Sequence, residues 1–479
     1  MRHRLSFVAA LAGLCSCADP GSQSGPPVTQ LYFPTSIAHV DTAKDEGVLF
    51  VSNANFDKRY ATGSVVALNL DAIGLPKLGT TTGTVEELKD LKLTDTQSVQ
   101  IASFAGEMAV QNLAANDYRL FVPTRSEGNR VYRVHATVDA QGVPTLGCVG
   151  AEGQNCIDTG ASLSPREFEQ STTGVPRAPG PYGVALGPRT CSVDADCCGA
   201  DEPDCGRTCS AAGTCNGLDG TAFNDVWVTH ISQADSPALS NLNFRGYLVR
   251  LDSDAFSVGE RNFINIGSGG SNSATVFQGW TYVSGRILSP APNLMRVVNR
   301  DGVTLSTALE YLFRVSDSRG IAVSSDGKRL YMVGRIPDVL LVMGISNAAT
   351  YPTLSFIRAV PLPDAPNALS VLSRPGKGDL VFVTCTSGGS VVTYDDGVGD
   401  LVSTVGGVGV QPFSIAVDQR GNAARLFVSL FGDGRIAVID VPDLDHPQRA
   451  SLVAHLGSQQ LCLTRGVNSP GCIASQEVP

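Results

Sequence analysis

Apolar residues along this chain fall into short runs, and three kinds of run recur in a fixed order. The most distinctive carries two large apolar residues side by side, often introduced by an arginine: Val48-Leu49-Phe50, Arg119-Leu120-Phe121, Asp225-Val226-Trp227, Arg286-Ile287-Leu288, Arg329-Leu330-Tyr331, Leu380-Val381-Phe382 and Arg425-Leu426-Phe427. Before each stands a run of small and apolar residues, at Ser36 to Val40, Glu107 to Gln111, Tyr182 to Leu186, Trp280 to Ser284, Gly320 to Ser324, Ala368 to Leu372 and Ser414 to Asp418. After each comes an alternating run that ends in polar or turn residues: Ser64 to Asp71, Arg130 to His135, Tyr247 to Asp252, Leu294 to Asn299, Val339 to Ile345, Ser390 to Asp395 and Arg435 to Asp440. Alternation with period two, bounded by Gly, Asn and Asp, predicts antiparallel strands. A fourth strand is expected at Ser98 to Phe104, Phe263 to Ile266, Leu354 to Val360 and Leu452 to Leu456.

Seven ordered repeats of this kind predict an all-β chain, a seven-bladed β-propeller of four-stranded antiparallel blades. From Leu288 to Tyr331, Phe382 and Phe427 the steps are 43, 51 and 45 residues, close to the blade period of about 40–45 residues. The longer early steps imply insertions. A β-sandwich would also space its strands at about 8–12 residues, but it has no reason to repeat an ordered triplet. No blade hides both faces of its sheet alone, so the repeats are expected to form one unit, 31–457, with small residues on the strand nearest the axis.

The composition, 43% hydrophobic and 17% charged with 51 Gly and 27 Pro, fits a globular chain with many tight turns. A formal charge of −10 without a cluster of Lys and Arg argues against a nucleic-acid partner.

The N-terminus reads as an address. Arg2, His3 and Arg4 precede an apolar stretch from Leu5 to Leu14, too short for a bilayer span of about 20 residues. It resembles a bacterial lipoprotein signal peptide, with Leu14-Cys15-Ser16-Cys17 as the lipobox, and the resemblance implies acylation of Cys17. Ordinary cleavage after Ala18 is the alternative. On the lipidated reading, 1–17 is the signal peptide, 18–30 a flexible tether, and the protein sits in the cell envelope as an outer-membrane lipoprotein. Its partners are then the membrane, through the anchor, and another envelope protein or an extracellular ligand. Secretion or a periplasmic location is the alternative.

Cysteine usage agrees with export. Cys191, Cys197, Cys198, Cys205, Cys209 and Cys215 crowd a short insertion, 188–218, which reads as a disulfide-stapled module. Zinc is the rival, through Cys205 and Cys209, but six thiols exceed one tetrahedral site. Cys148 with Cys156, and Cys462 with Cys472 in the tail 458–479, are expected to close short loops, while Cys385 ends an apolar strand and is expected in the core. No cofactor is expected. Ca²⁺ on Asp194, Asp196, Asp201 and Asp204 is the one metal weighed, against a solvated acidic loop and without EF-hand spacing.

In a propeller the six-cysteine module, lying between the first and second strands of blade three, projects from the face opposite the channel entrance. The insertion at Thr80 to Leu93 is expected on that same face, and Thr159 to Gly180 at the entrance. Loops at that mouth carry recognition in rigid rings. The residues placed there are Glu107, Tyr182, Arg319, Asn367 and Phe413, an acid, an arginine, an amide and two aromatics suited to a polar ligand; capping strands or filling the funnel is their alternative role.

The unit Gly320-Ile321-Ala322-Val323-Ser324-Ser325-Asp326-Gly327-Lys328-Arg329-Leu330-Tyr331, with Gln411 to Val417 as a second copy, resembles the bacterial YVTN or lactonase-like propeller superfamily over Leu31 to Gly457. The resemblance implies the fold, and a role either as a surface-associated binding protein or as a lactone hydrolase. The histidines, including His39 on an inner strand, show no paired or metal-type spacing. Glu107 and Asn367 are the only axial groups placed for a metal-dependent lactonase, and no Gly-x-Ser-x-Gly elbow or phosphate loop occurs. A binding or scaffolding surface is therefore the first expectation, a funnel hydrolase the second, and a structural envelope component the third.

Overall fold

Seven antiparallel sheets follow one another along the chain, each with its strands in sequence order. The structure is a computed structural model that describes residues 25–459 apart from internal stretches, chiefly 158–177, 199–204, 218–223, 232–245, 255–262, 286–294 and 306–314. The inner strands are Pro34–Val40, Ala109–Ala114, Pro181–Pro188, Ser271–Phe277, Ser318–Val323, Pro366–Leu372 and Pro412–Arg420. Blade one meets blade seven through these strands, where the Ile37 N–H donates to Ser414 Oγ at 3.4 Å. The ring is a seven-bladed propeller.

The side-by-side apolar pairs now have a physical reason. Successive side chains on a strand point to opposite faces, and both faces of every second strand are covered by a neighbouring blade. Phe50 packs between blades one and two, whereas Leu49 and Val51 pack between seven and one. Phe382 likewise points into the seam with blade seven while Val381 and Val383 face blade five. The buried side chains form seven such clusters among the described residues, one for each seam.

The taper toward the axis is set by pairing large residues with small ones. Phe50, Phe121, Trp227, Tyr282, Tyr331, Phe382 and Phe427 stand opposite Ala38, Ala109, Ala185, Thr275, Ala322, Ser370 and Ala416 on the inner strands. Blade four corrects the sequence reading. Trp280–Gly285 is its second strand, with Tyr282 in the large position, and Ser271–Phe277 is its inner strand. Arg286, Ile287 and Leu288 lie outside the described residues.

Each inner strand carries one extra residue at the end where it enters the ring. The register slips between Pro34 and Ser36, Pro181 and Val184, Ser271 and Ala274, Ser318 and Ile321, Pro366 and Leu369, and Pro412 and Ile415. In blade two it slips between Ala105 and Ala109, which pair with Thr124 and Phe121. A bulge leaves a backbone N–H without its ladder partner. Buried hydroxyls on the second strands take it: Thr229, Ser284, Thr384 and Ser429 accept from the N–H of Gly183, Ser273, Ala368 and Ser414 at 2.8–3.0 Å. Some of these hydroxyls also donate onward, Thr229 to the Asn272 carbonyl and Thr384 to the Phe413 carbonyl of the next blade.

The opposite, exit end is held by charge. Arg119 reaches Asp254 of blade three, Arg329 reaches Asp396 of blade six, and the fully buried Arg425 binds Asp440 together with Glu46 and the Pro76 carbonyl of blade one. This explains why arginine so often opens the second strand. Ring closure has a further element: Glu86–Leu88, from the insertion in blade one, adds a parallel fifth strand to the outer strand Ser451–Leu456 of blade seven. Glu87 there binds Arg435 and His455.

Thr229→Val keeps the shape of the side chain and strands one buried N–H and one buried carbonyl. We expect a loss of about 2–4 kcal/mol, read as a lowered urea midpoint with unchanged slope. A solvent-exposed control such as Thr404→Val should leave the midpoint within about 0.5 kcal/mol.

Candidate functional site

The bulges give two aligned rings of residues at the entrance. The first position holds Thr35, Gly106, Tyr182, Asn272, Arg319, Asn367 and Phe413; the second holds Ser36, Glu107, Gly183, Ser273, Gly320, Ala368 and Ser414. All five sequence candidates therefore sit in these rings. Asn272 and Ser273 were missed because blade four was read one strand out of phase.

The second ring is built of small residues because the backbones nearly touch. A Cβ on Gly183 would lie 2.4 Å from the Asn272 carbonyl, and one on Gly320 would lie 2.8 Å from the Leu369 nitrogen. Glu107 is the exception in this ring. Its carboxylate passes over Gly183 of blade three and accepts from Ser273 Oγ of blade four, at 2.8 and 2.7 Å to its two oxygens. Burial pushes its carboxyl up to about 7, against the opposing pull of the Ser273 hydroxyl and the Arg319 charge.

Around Glu107 lies a charged sector. Arg319 binds Asp317 at 2.8 Å. Arg335 donates to the Pro366 carbonyl, Asn367 Oδ1 and Thr386 Oγ1; burial and the neighbouring Arg319 lower its guanidinium to about 10. Arg125 lies over the Tyr182 ring, 5.4 Å from its centroid. Arg319 Nε, Asp317 Oδ1 and Asn272 Oδ1 are buried and have no hydrogen-bond partner among the described residues. Asn272 is 1% exposed and Asp317 8%, so these atoms need a partner that the described residues do not supply.

The rest of the mouth is aromatic. Phe413 contacts Phe431, which contacts Phe33 and Phe56, and Phe56 contacts Phe104, with centroids 5.1–5.5 Å apart. All but Phe33 are partly exposed. Lys58 sits over Phe104 and Arg59 over Phe33. Asn367 joins the sectors, since its Nδ2 donates to the Phe413 carbonyl while its Oδ1 accepts from Arg335.

Elsewhere the chemistry is structural. His39 stacks on Phe427 at the exit end of the seam between blades one and seven and does not face the entrance. The cysteines pair as Cys148–Cys156, Cys191–Cys209, Cys197–Cys215 and Cys198–Cys205, the chemistry of an oxidising compartment. Arg189 and Arg207 tie the module to Asp225 and Asp252 of blade three. Of the acids weighed for Ca²⁺, Asp194 accepts the Cys209 N–H, and Asp201 and Asp204 lie outside the described residues. Cys385 is buried, its thiol pushed up to about 12 by burial, and is inert core. Cys17, Cys462, Cys472 and nearly all of Thr159 to Gly180 also lie outside the described residues. Among the described residues no helix is long and apolar enough to cross a membrane.

No family model matches this chain, and no curated protein matches it. Among solved structures it is similar to a putative 6-phosphogluconolactonase from Bacteroides uniformis, at 13% identity over 79% of this chain and 85% of that one, with a TM-score of 0.44. It is also similar to a hydrazine synthase of Kuenenia stuttgartiensis, at 12% identity over 87% and 98%, TM-score 0.49. A third likeness is to a dihydro-heme d1 dehydrogenase, at 10% identity over 91% and 71%, TM-score 0.42. At such identities a likeness extends to the fold and no further.

The raised Glu107 carboxyl has a sign in stability. The folded protein keeps a proton there up to about 7, whereas the unfolded chain releases it near 4.5. Stability is therefore lost as pH rises through that window, by about 3 kcal/mol from this group alone. Glu107→Gln should remove the loss: urea midpoints of variant and wild type should coincide at pH 4.5 and the variant should be the more stable at pH 8.

Proposed function

We propose that this chain is an exported, lipid-anchored propeller of the cell envelope that presents its entrance face as a binding surface to another envelope protein or an extracellular ligand. The observation that carries this reading is the aromatic sector: Phe413, Phe431, Phe56 and Phe104 form one partly exposed run beside partly exposed guanidiniums. Surfaces of this composition, aromatic and arginine-rich with few lysines, are those from which binding energy is drawn. The export half of the reading rests on the N-terminal address and agrees with four disulfides.

A hydrolase at the same mouth would need an acid free to act and a second group to orient its water. Glu107 is bonded to Ser273, and Asn367 is committed to Arg335 and the Phe413 carbonyl. The binding reading uses these groups as they stand.

Two measurements test it. In a bacterial host fed a labelled fatty acid, the chain should carry label that Cys17→Ser removes, and the variant should move to the soluble fraction. A photo-crosslinking residue at Tyr60, near the aromatic run, should give a discrete adduct in whole cells of the native host. One at Val143, remote from the mouth, should not, and Phe431→Ala should abolish the Tyr60 adduct. Equal labelling from both positions, or turnover of lactones that Glu107→Gln abolishes, would replace this reading.

A further inference from the structure

We infer that His455 is a proton-operated latch for the aromatic sector: protonated, it ties the strap 407–411 and the Phe431 hairpin to the strand added from blade one, and neutral it cannot. As a regulator of binding it rests on the entrance face being a binding surface; as a latch it rests on the contacts around His455 alone.

A closed loop of polar contacts lies beneath the Phe431 hairpin. His455, on the outer strand of blade seven, has Nδ1 2.9 Å from Glu87 Oε1 and Nε2 2.9 Å from the Val408 carbonyl oxygen. Glu87 Oε2 accepts from Arg435 Nη1 at 3.0 Å, Arg435 Nη2 donates to Asp433 Oδ2 at 3.2 Å, and that oxygen also accepts the Val410 N–H at 2.9 Å. Val410 is two residues from Val408, so the loop returns to its start. It joins the added strand Glu86–Leu88, the outer edge of blade seven and the strap between blades six and seven. His455, Arg435, Asp433 and Val408 are all buried.

Strap and hairpin in turn position the aromatic residues. The Phe431 N–H donates to the Gln411 carbonyl at 3.0 Å and the Gly432 N–H to the Val410 carbonyl at 3.1 Å. The packing between them is close: a Cβ on Gly409 would lie 2.4 Å from Leu430 Cδ1 and 2.7 Å from Asp433 Oδ2. Phe413 follows the strap by two residues, and its ring contacts Phe431.

Protonation enters through hydrogen-bond accounting. A carboxylate and a backbone carbonyl only accept, and a neutral imidazole has a single N–H, so only the imidazolium makes both His455 contacts. Loss of its proton, a change that histidines make between about pH 5 and 8, leaves one ring nitrogen lone pair against an acceptor. Such a buried mismatch breaks the loop at Glu87 or at Val408. Among the described residues the charged groups placed around His455 are Glu87 from the added strand, and Arg435 and Asp433 from the third strand of blade seven and its hairpin. The strap 407–411 offers backbone and no titratable side chain.

The test is amide hydrogen exchange on the mature protein from pH 5.5 to 8.5, with rates corrected for the intrinsic pH dependence of exchange. The amides of Val410, Phe431, Gly432 and Gly457, which close the strap, the hairpin and the added strand, should lose protection by about tenfold or more as pH rises. The Thr386 amide, which holds the equivalent place in blade six by donating to the Ala365 carbonyl, should keep its protection and reports that each variant is folded. His455→Gln should show no pH response at the four amides. Glu87→Gln, a change at an exposed position, gives the ring an amide that accepts from the imidazolium or donates to the neutral form, so it too should flatten the response. Constant protection in the wild type, or a response that survives both substitutions, overturns the latch.

Regulation is read separately, from the Tyr60 adduct in cells held at pH 6 and at pH 8. It should fall at the higher pH in the wild type and hold steady in Glu87→Gln. An adduct indifferent to pH while the four amides respond overturns the regulation and leaves the surface. If the amides respond and no adduct forms at either pH, the latch stands as a property of the fold and the surface reading falls.

Discussion

Much of the entrance depends on the buried hydroxyl that sits opposite four of the seven inner-strand bulges. A seven-bladed ring forces inner strands close together at the axis, and a bulge at that point would leave an amide without a partner, at a cost of about 1–3 kcal/mol. Thr229, Ser284, Thr384 and Ser429 remove that cost within their own blades, and Thr229 and Thr384 extend the same hydroxyl to a carbonyl of the next blade. One small side chain thus does two jobs that the ladder cannot do. It also fixes the direction of the bulge residues, so what stands at the mouth is determined by register and not by loop flexibility.

The two ends of the ring are held by different forces, and the difference suits them to different work. At the exit, arginines at the heads of second strands clamp neighbouring blades through Asp254, Asp396, Asp440 and Glu46. The six-cysteine module joins that network, since Arg207 binds Asp252 and lies 3.8 Å from Asp254. Such buried pairs contribute little net stability but are costly to break. They fix geometry while consuming their own charge. At the entrance, hydroxyls and backbone groups hold the blades together, helped by Arg335, which reaches blade six, and by Glu107, which reaches Ser273 of blade four.

Much of this was legible in the chain, and the failures have identifiable causes. Two large residues side by side mark a strand covered on both faces, and that signal placed six second strands. In blade four it was misled by Arg286-Ile287-Leu288, which imitates the pattern. The better signal was the hydroxyl: Val51-Ser52, Val228-Thr229, Val283-Ser284, Val383-Thr384 and Val428-Ser429 close five second strands, and reading Val283-Ser284 in that series would have put Trp280 in the second strand and Ser271 at the axis. The strand Glu86–Leu88 was illegible because a three-residue parallel addition takes its order from Arg435 and His455, more than 340 residues away in sequence. The aromatic run escaped for a related reason. Phe33, Phe56, Phe104, Phe413 and Phe431 come from three blades, and only the ring closure makes them neighbours.

Glu107 breaks the rule of small residues in its ring, and its position bears on why. A glutamine there could meet Ser273 as well and would have no charge to desolvate; serine or glycine, as at Ser36 and Gly183, would relieve the crowding over blade three. What the acid has that these lack is a proton it can exchange near neutral pH, within reach of the Arg319 charge. A destabilised group that a neutral isostere could replace in every structural respect is the kind of local violation found where a fold serves function. Arg319 Nε, Asp317 Oδ1 and Asn272 Oδ1, which have no hydrogen-bond partner among the described residues, lie in the same sector of the entrance.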